Sequence, residues 1–127
     1  MNAEKFTQKT IQTINDAQNL AHEKQNQTLM PEHLLYALLS QDGGLVRTLV
    51  YRIGQKTGNT DIVGSILGEL DAAINRLPKV TGASDELYPS SEVSAVLRFA
   101  EKAASGMKDE YISVEHLFLG LLSEGNS

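Results

Sequence analysis

The sequence predicts an all-α fold built from a duplicated helical unit, and three observations support that prediction. Apolar residues recur at helical spacing along most of the chain, as on the face formed by Phe6, Ile14 and Ala21. No segment shows the alternation typical of a strand. The decapeptide PEHLLYALLS at 31–40 returns as VEHLFLGLLS at 114–123, a shift of 83 positions.

Four helices are predicted in the first unit. The first carries the face just described, and Pro31 opens the second, because a missing N–H costs nothing at the first helical position. The third is predicted to end at Gly54 as its C-terminal cap. The fourth is predicted over 60–77, where Gly64 and Gly68 are expected to permit close helix packing.

Two further helices are predicted after a connector. The segment PKVTGASDELYP at 78–89 is rich in residues that favour turns, so an exposed connector is expected there. Ser90 is placed to cap the fifth helix and Ser113 to cap the sixth, since a serine side chain accepts a hydrogen bond from a free N–H of the first turn.

The repeated decapeptide belongs to a longer internal repeat. Shifting the chain by 83 residues overlays 7–44 on 90–127 without a gap, with Ala17 on Ala100 and Ala21 on Ala104. This pattern indicates a tandem duplication of a helical unit.

We therefore expect one domain, 1–127, composed of repeat one (6–77), the connector (78–89) and a partial repeat two (90–127). Counterparts of the third and fourth helices would fall beyond residue 127, so the second repeat is predicted to be truncated: either the second unit is shorter, or, as we favour, the chain is a fragment cut inside a larger domain. Three leucines of the sixth helix are then expected to lack part of their cover: Leu117, Leu121 and Leu122.

Composition excludes several classes of function. The net charge is −5 and the 11 basic residues are scattered, which argues against nucleic-acid binding. Cysteine is absent, so disulfides and thiolate chemistry are excluded. No apolar run approaches the ~20 residues of a membrane span, and the amino terminus lacks a signal peptide's apolar core. We expect a cytoplasmic protein without a membrane partner.

Two Glu-His pairs are the strongest candidates for chemistry. Glu32-His33 and Glu115-His116 are a hypothetical metal centre, although adjacent helical residues point about 100° apart and chelate poorly. The favoured interpretation is structural: each histidine lies in a first turn, where it can hydrogen-bond neighbouring backbone. GQKTG at 54–58 lacks the spacing of a P-loop. We predict a non-catalytic chain without a cofactor of its own.

Four segments together resemble the amino-terminal domain of Clp ATPases: FTQKTIQTINDAQNLA, PEHLLYALLSQDGG, AINRLPKVTG and YISVEHLFLGLLSEG. The string NRLPKVTG favours the disaggregase branch, ClpB, over the protease-partnered ClpA and ClpC. The resemblance implies a mobile all-α module of two four-helix repeats, tethered to ATPase modules that use ATP and Mg. The implied partners are unfolded or aggregated polypeptides, the hexameric ring that threads them, and the DnaK chaperone system. The alternative is an adaptor-docking domain of a ClpA- or ClpC-type unfoldase.

The same resemblance implies a substrate-binding set made of Thr7, Asp109, Glu115 and Leu97, a polar trio beside an apolar groove. Each polar member has a structural alternative. Thr7 can be an N-terminal helix cap, Asp109 a turn residue, and Glu115 a first-turn acid favoured by the helix dipole. His116 falls where some relatives have leucine.

Overall fold

A computed structural model describes residues 3–81 and 86–125, and its helices confirm the all-α fold class. A short 3-10 turn at Ala3–Lys5 precedes the first α-helix. Within the described residues the α-helices are α1 Gln8–Glu23, α2 Pro31–Ser40, α3 Leu45–Thr57, α4 Ile62–Asn75, α5 Ser91–Gly106 and α6 Val114–Gly125. None of these helices is both long enough and apolar enough to cross a membrane.

Helix starts agree with the sequence prediction. The Thr7 side chain caps α1 by accepting from the Thr10 N–H, and Ser90 caps α5 by accepting from the Val93 N–H. Pro31 is the first residue of α2. Residues 82–85 of the predicted connector, and the chain ends at 1–2 and 126–127, lie outside the described residues.

Two glycine predictions were wrong. The left-handed cap of α3 is Gly58, at φ +82°, so the helix continues through Gly54. Gly54 is buried, and a Cβ there would lie 2.4 Å from the Asn59 carbonyl oxygen, so its role is a close approach of the following turn. Gly64 and Gly68 are both exposed, and a Cβ on Gly68 would meet nothing within 4 Å. Neither glycine sits in a tight helix crossing, because the buried face of α4 is formed by Val63 and Ile74 instead.

The main core cluster contains residues of both predicted repeats, and a smaller cluster joins Ala100, Ala104 and Ile112 with Phe6. Helix α4 packs on α2 and α3, while α6 packs on α5 and also contacts α1, α2 and α3. The expectation for the α6 leucines was therefore wrong for two of them: Leu117 is 0% exposed and Leu121 9%. Both leucines belong to a core cluster formed by residues of both units. Leu122, at 49% exposure, behaves as expected.

Short parallel backbone pairings were not predicted. β1, Thr28–Leu29, pairs with β2, Tyr88–Pro89, and a single bridge joins Phe6 to Ile112. A shift of 83 residues converts the Leu29–Pro89 pair into the Ile112–Phe6 pair. The segment before each unit's first helix thus pairs with the loop before the other unit's second helix. Two residues are too few to show an alternating pattern in sequence.

Candidate functional site

His33 ties the start of α2 to the end of α1. Its Nδ1 accepts from the Met30 N–H at 2.9 Å, so the neutral ring carries its proton on Nε2, which lies 2.9 Å from Asn26 Oδ1. The side chain is fully buried, and burial lowers the pKa of His33 below its ordinary value of 6.5. Both ring nitrogens bind protein atoms, which confirms the structural interpretation of this histidine.

His116 makes the same link 83 residues later. Its Nδ1 accepts from the Ser113 N–H at 2.9 Å, and its Nε2 lies 2.8 Å from Asp109 Oδ2. The predicted cap by the Ser113 side chain is replaced by a contact with the histidine, since Ser113 Oγ lies 3.0 Å from the same ring nitrogen. Within residues 3–81 and 86–125 no three metal-ligating side chains gather into one group. The histidine of the second Glu-His pair, His116, is thus used at a helix start as His33 is.

Thr7 and Glu115, which lie near opposite ends of the sequence, line one open pocket. This pocket, called here the Thr7–Glu115 pocket, has a volume of about 310 Å³ and lies where the start of α1, the α2–α3 loop and the start of α6 meet. Its lining consists of Thr7, Lys9, Gln41, Gly43, Gly44, Leu45, Ser113, Val114 and Glu115.

The hydroxyl of Thr7 is part of a hydrogen-bond chain. Thr7 Oγ1 accepts from the Thr10 N–H at 3.1 Å and lies 2.8 Å from Thr10 Oγ1. Thr10 Oγ1 in turn donates to the Ile112 carbonyl oxygen at 2.9 Å. Thr7 is therefore a helix cap that also lines the pocket, so both interpretations of this residue fit the geometry.

The other predicted site residues lie in different surroundings. Glu115 is an exposed first-turn acid at the pocket edge, and Lys9 is another charged residue of the same lining. Asp109 is outside the lining and is bonded to His116, although its side chain is 48% exposed. Leu97 is partly buried against the core and is likewise outside the lining. The structure thus brings two of the four predicted residues together.

Sequence reasoning missed the loop that closes this pocket. Gly43 adopts φ +69°, which favours glycine, and Gly44 begins α3 as its cap residue. Gln41 is fixed because its Nε2 donates to Thr13 Oγ1 at 2.7 Å. The Gly-Gly pair after a strong helical stripe was the available signal, since paired glycines permit close approach of a ligand's backbone.

An apolar surface leads away from the pocket along α3. Leu45 lines the pocket and is 55% exposed, and Leu49 and Ile53 follow at one-turn spacing with 46% and 48% exposure. These three residues are called here the α3 stripe. Large apolar side chains exposed in a row are typical of a binding surface.

Comparisons with known proteins agree on one family. The sequence profile of a family described as the Clp repeat (R) N-terminal domain matches residues 5–127. The chaperone protein ClpB of Brucella suis biovar 1 is 38% identical over 124 residues, which cover 98% of this chain and 14% of that protein. The ClpB of Nitratidesulfovibrio vulgaris is 38% identical over 127 residues, with the same coverage of 98% and 14%. The chain thus spans about one seventh of the length of the curated relatives it matches.

Solved structures show the same fold. The Hsp104 N-terminal domain from Candida albicans superposes with a TM-score of 0.78 and is 26% identical, covering 95% of this chain and 75% of that one. The N-terminal domain of the ClpV1 ATPase from E. coli superposes with a TM-score of 0.79 over 97% of this chain and 71% of that one. Its identity of 20% supports likeness of fold alone.

Proposed function

Because the chain belongs to the Clp repeat N-terminal domain family, we propose that it is the substrate-binding module of a ClpB-type protein disaggregase. In this role it captures unfolded or aggregated polypeptide and passes it to an ATPase ring. The hydrolysis of ATP with Mg, the hexameric ring, the cooperation with DnaK and the cytoplasmic location belong to the whole protein of this proposal. This chain would contribute binding without catalysis.

The observation that carries the proposal is the Thr7–Glu115 pocket with the α3 stripe beside it. An extended polypeptide presents both backbone amides and apolar side chains. For the backbone amides the pocket offers the Glu115 carboxylate and the Gly43-Gly44 loop. For the apolar side chains it offers Leu45 and Val114. Its open shape suits weak, reversible capture, which a module that hands its ligand onward requires.

The two remaining predicted residues keep separate places in this proposal. Leu97 stays a predicted groove residue outside the pocket lining. Asp109 stays in the predicted polar trio, although its carboxylate is bonded to His116.

The experiment that tests the proposal is binding of a fluorescent, permanently unfolded model protein, measured by anisotropy. Glu115→Ala is expected to weaken binding about threefold to tenfold while the melting temperature stays near that of the parent. Glu32→Ala is the matched control, because Glu32 is the first-turn acid at the same position of α2 and is outside the pocket lining. Thr7→Ser should retain both cap and binding, whereas Thr7→Ala should lose about 1 kcal/mol of stability.

The proposal fails if the parent chain does not bind the unfolded protein, or if Glu32→Ala weakens binding as much as Glu115→Ala does. In the first case, tight binding of a folded ClpS- or MecA-like adaptor would instead support the adaptor-docking function.

A further inference from the structure

We infer that Asp109 is a positioning residue that fixes the edge of the Thr7–Glu115 pocket through His116, and that it does not itself contact the captured polypeptide. This inference rests on the proposed function, since it concerns how the same pocket is held ready. It assigns to Asp109 a role different from that of Glu115, although the family resemblance places both in one substrate-binding trio.

The turn at the end of α5 places the Asp109 carboxylate. The Asp109 N–H donates to the Ala104 carbonyl oxygen at 2.8 Å, and the preceding Lys108 adopts φ 59°. This arrangement is a Schellman-type helix end, which holds the backbone of Asp109 against α5. From there Asp109 Oδ2 reaches the His116 Nε2 at 2.8 Å.

His116 transmits that position to the pocket. Its ring is buried, and its Nδ1 accepts from the Ser113 N–H, the residue that precedes α6. Ser113, Val114 and Glu115 are three consecutive residues of the pocket lining. If Asp109 is truncated to alanine, His116 Nε2 loses its acceptor although the ring is buried, which destabilises this arrangement of the ring. The ring can then reorient and release the Ser113 N–H, so the start of α6 loosens together with Glu115.

The first repeat shows that this link does not require a charge. There a neutral amide is the partner of the histidine, since Asn26 Oδ1 lies 2.9 Å from His33 Nε2. An amide oxygen at position 109 should therefore hold His116 as well as the carboxylate does. A direct contact with a basic or amide group of the polypeptide would depend on the carboxylate, so the two roles differ in what Asp109→Asn does.

The test compares Asp109→Asn with Asp109→Ala in the binding assay for the unfolded model protein. We expect Asp109→Asn to bind within about twofold of the parent, and Asp109→Ala to bind about tenfold more weakly. In a His116→Leu background, Asp109→Ala should change binding less than about twofold, because the path through the ring is already gone. Asn26→Ala is the matched control: it breaks the equivalent link in the first repeat and should lower the melting temperature without weakening binding.

A second measurement follows the link directly and needs no ligand. Compared with the parent, hydrogen exchange of the Ser113 amide should be faster in Asp109→Ala and unchanged in Asp109→Asn. The amides of α6 serve as the internal reference. Equal protection of Ser113 in the parent and in Asp109→Ala would overturn the inference, whatever the binding data show.

The outcomes separate this inference from the proposed function. If Asp109→Asn binds as weakly as Asp109→Ala while Ser113 stays protected, the carboxylate contacts the polypeptide, and the inference falls while the proposed function stands. If the parent itself does not bind, the proposed function falls, and the exchange rate of Ser113 decides whether Asp109 holds the start of α6.

Discussion

The two halves of the molecule share a pattern of hydrogen bonds and differ in the side chains around it. Helices α1 and α5 have the same length of 16 residues, and each is followed by a left-handed residue, Gln25 or Lys108. Each second helix begins with a buried histidine that accepts a backbone N–H. Backbone geometry is thus repeated closely, while the side chains around it have diverged.

The differences concentrate where the halves meet different neighbours. Leu39 of α2 is 1% exposed because α4 packs on that helix, whereas Leu122 at the same position of α6 is 49% exposed. Ala37 in α2 corresponds to Gly120 in α6, and Asn26 corresponds to Asp109. The comparison teaches that the repeated bonds maintain the fold, while equivalent positions have different surroundings: Glu115 lines the Thr7–Glu115 pocket, and its counterpart Glu32 does not.

The largest expected effect on stability comes from the difference in burial between Leu39 and Leu122. Leu39→Ala should lower the free energy of unfolding by about 3 kcal/mol, since it leaves a cavity in the core. Leu122→Ala at the corresponding position should cost less than about 1 kcal/mol. Urea unfolding followed by circular dichroism measures both. Equal losses would contradict the difference in burial.

The next largest effect concerns how closely the second helix of each unit packs on the first, that is, α2 on α1 and α6 on α5. A Cβ on Gly120 would lie 2.7 Å from the Val96 carbonyl oxygen, so Gly120→Ala must push α6 away from α5 and should cost about 2 kcal/mol. The reciprocal change, Ala37→Gly, should cost only about 1 kcal/mol, mostly through helix propensity. The same urea titration compares the two. A neutral Gly120→Ala would show that α5 and α6 have room to separate.

The histidine of the first repeat predicts a pH dependence. Because burial lowers the pKa of His33, the unfolded chain binds this proton more readily than the folded one. The contribution of His33 to stability is then complete above about pH 6.5 and is lost as the pH falls toward the lowered pKa. Protonation of Nδ1 would also remove the acceptor for the Met30 N–H.

His33→Gln is the control for that prediction, because a glutamine at the third helical position also accepts from the cap N–H and does not titrate. Between about pH 7.5 and about pH 5.5, the free energy of unfolding should fall more for the parent than for His33→Gln. An equal fall in both proteins would place the acid sensitivity elsewhere in the molecule.

The smallest effect should be the same in both halves. Gln25 and Lys108 adopt φ 60° and 59°, a conformation that glycine enters without a steric penalty. Gln25→Gly and Lys108→Gly should each stabilise the protein by about 0.5–1 kcal/mol, which thermal unfolding can measure. A stabilisation confined to one repeat would show that the two helix ends are not equivalent in energy.

Local signals in the sequence were enough to predict the helices. Pro31, Ser90 and the spacing of 83 residues determine where helices begin, and the structure agrees at these points. The wrong predictions concern tertiary contacts. Gly54 is approached by the Asn59 carbonyl oxygen of the turn that follows α3, and Leu117 is buried in a core formed by residues of both units. Neither contact leaves a periodic pattern in sequence.

The site was predictable only in part. Thr7 and Glu115 could be named by resemblance, but their meeting in one pocket depends on how the two units pack. The bond from Asp109 to His116 leaves no periodic pattern in the sequence, because it joins the end of α5 to the start of α6 across a loop. A comparison of positions 26 and 109 under the 83-residue shift would have revealed that both precede a buried histidine by seven residues.

The pairing of each unit's first segment with a loop of the other unit affects the order in which parts of the protein can fold. The Thr10 hydroxyl and the Thr7 N–H both donate to the Ile112 carbonyl oxygen, and the first of these contacts spans 102 positions. During vectorial synthesis, α1 and its Thr7 cap can form early, but the bonds from this end of α1 to residue 112 cannot form until that residue has left the ribosome. Closing so long a loop makes this junction a late step of folding. The Thr7–Glu115 pocket therefore forms only when α6 docks, so a nascent chain in which α6 has not yet emerged would not present this pocket to other unfolded proteins.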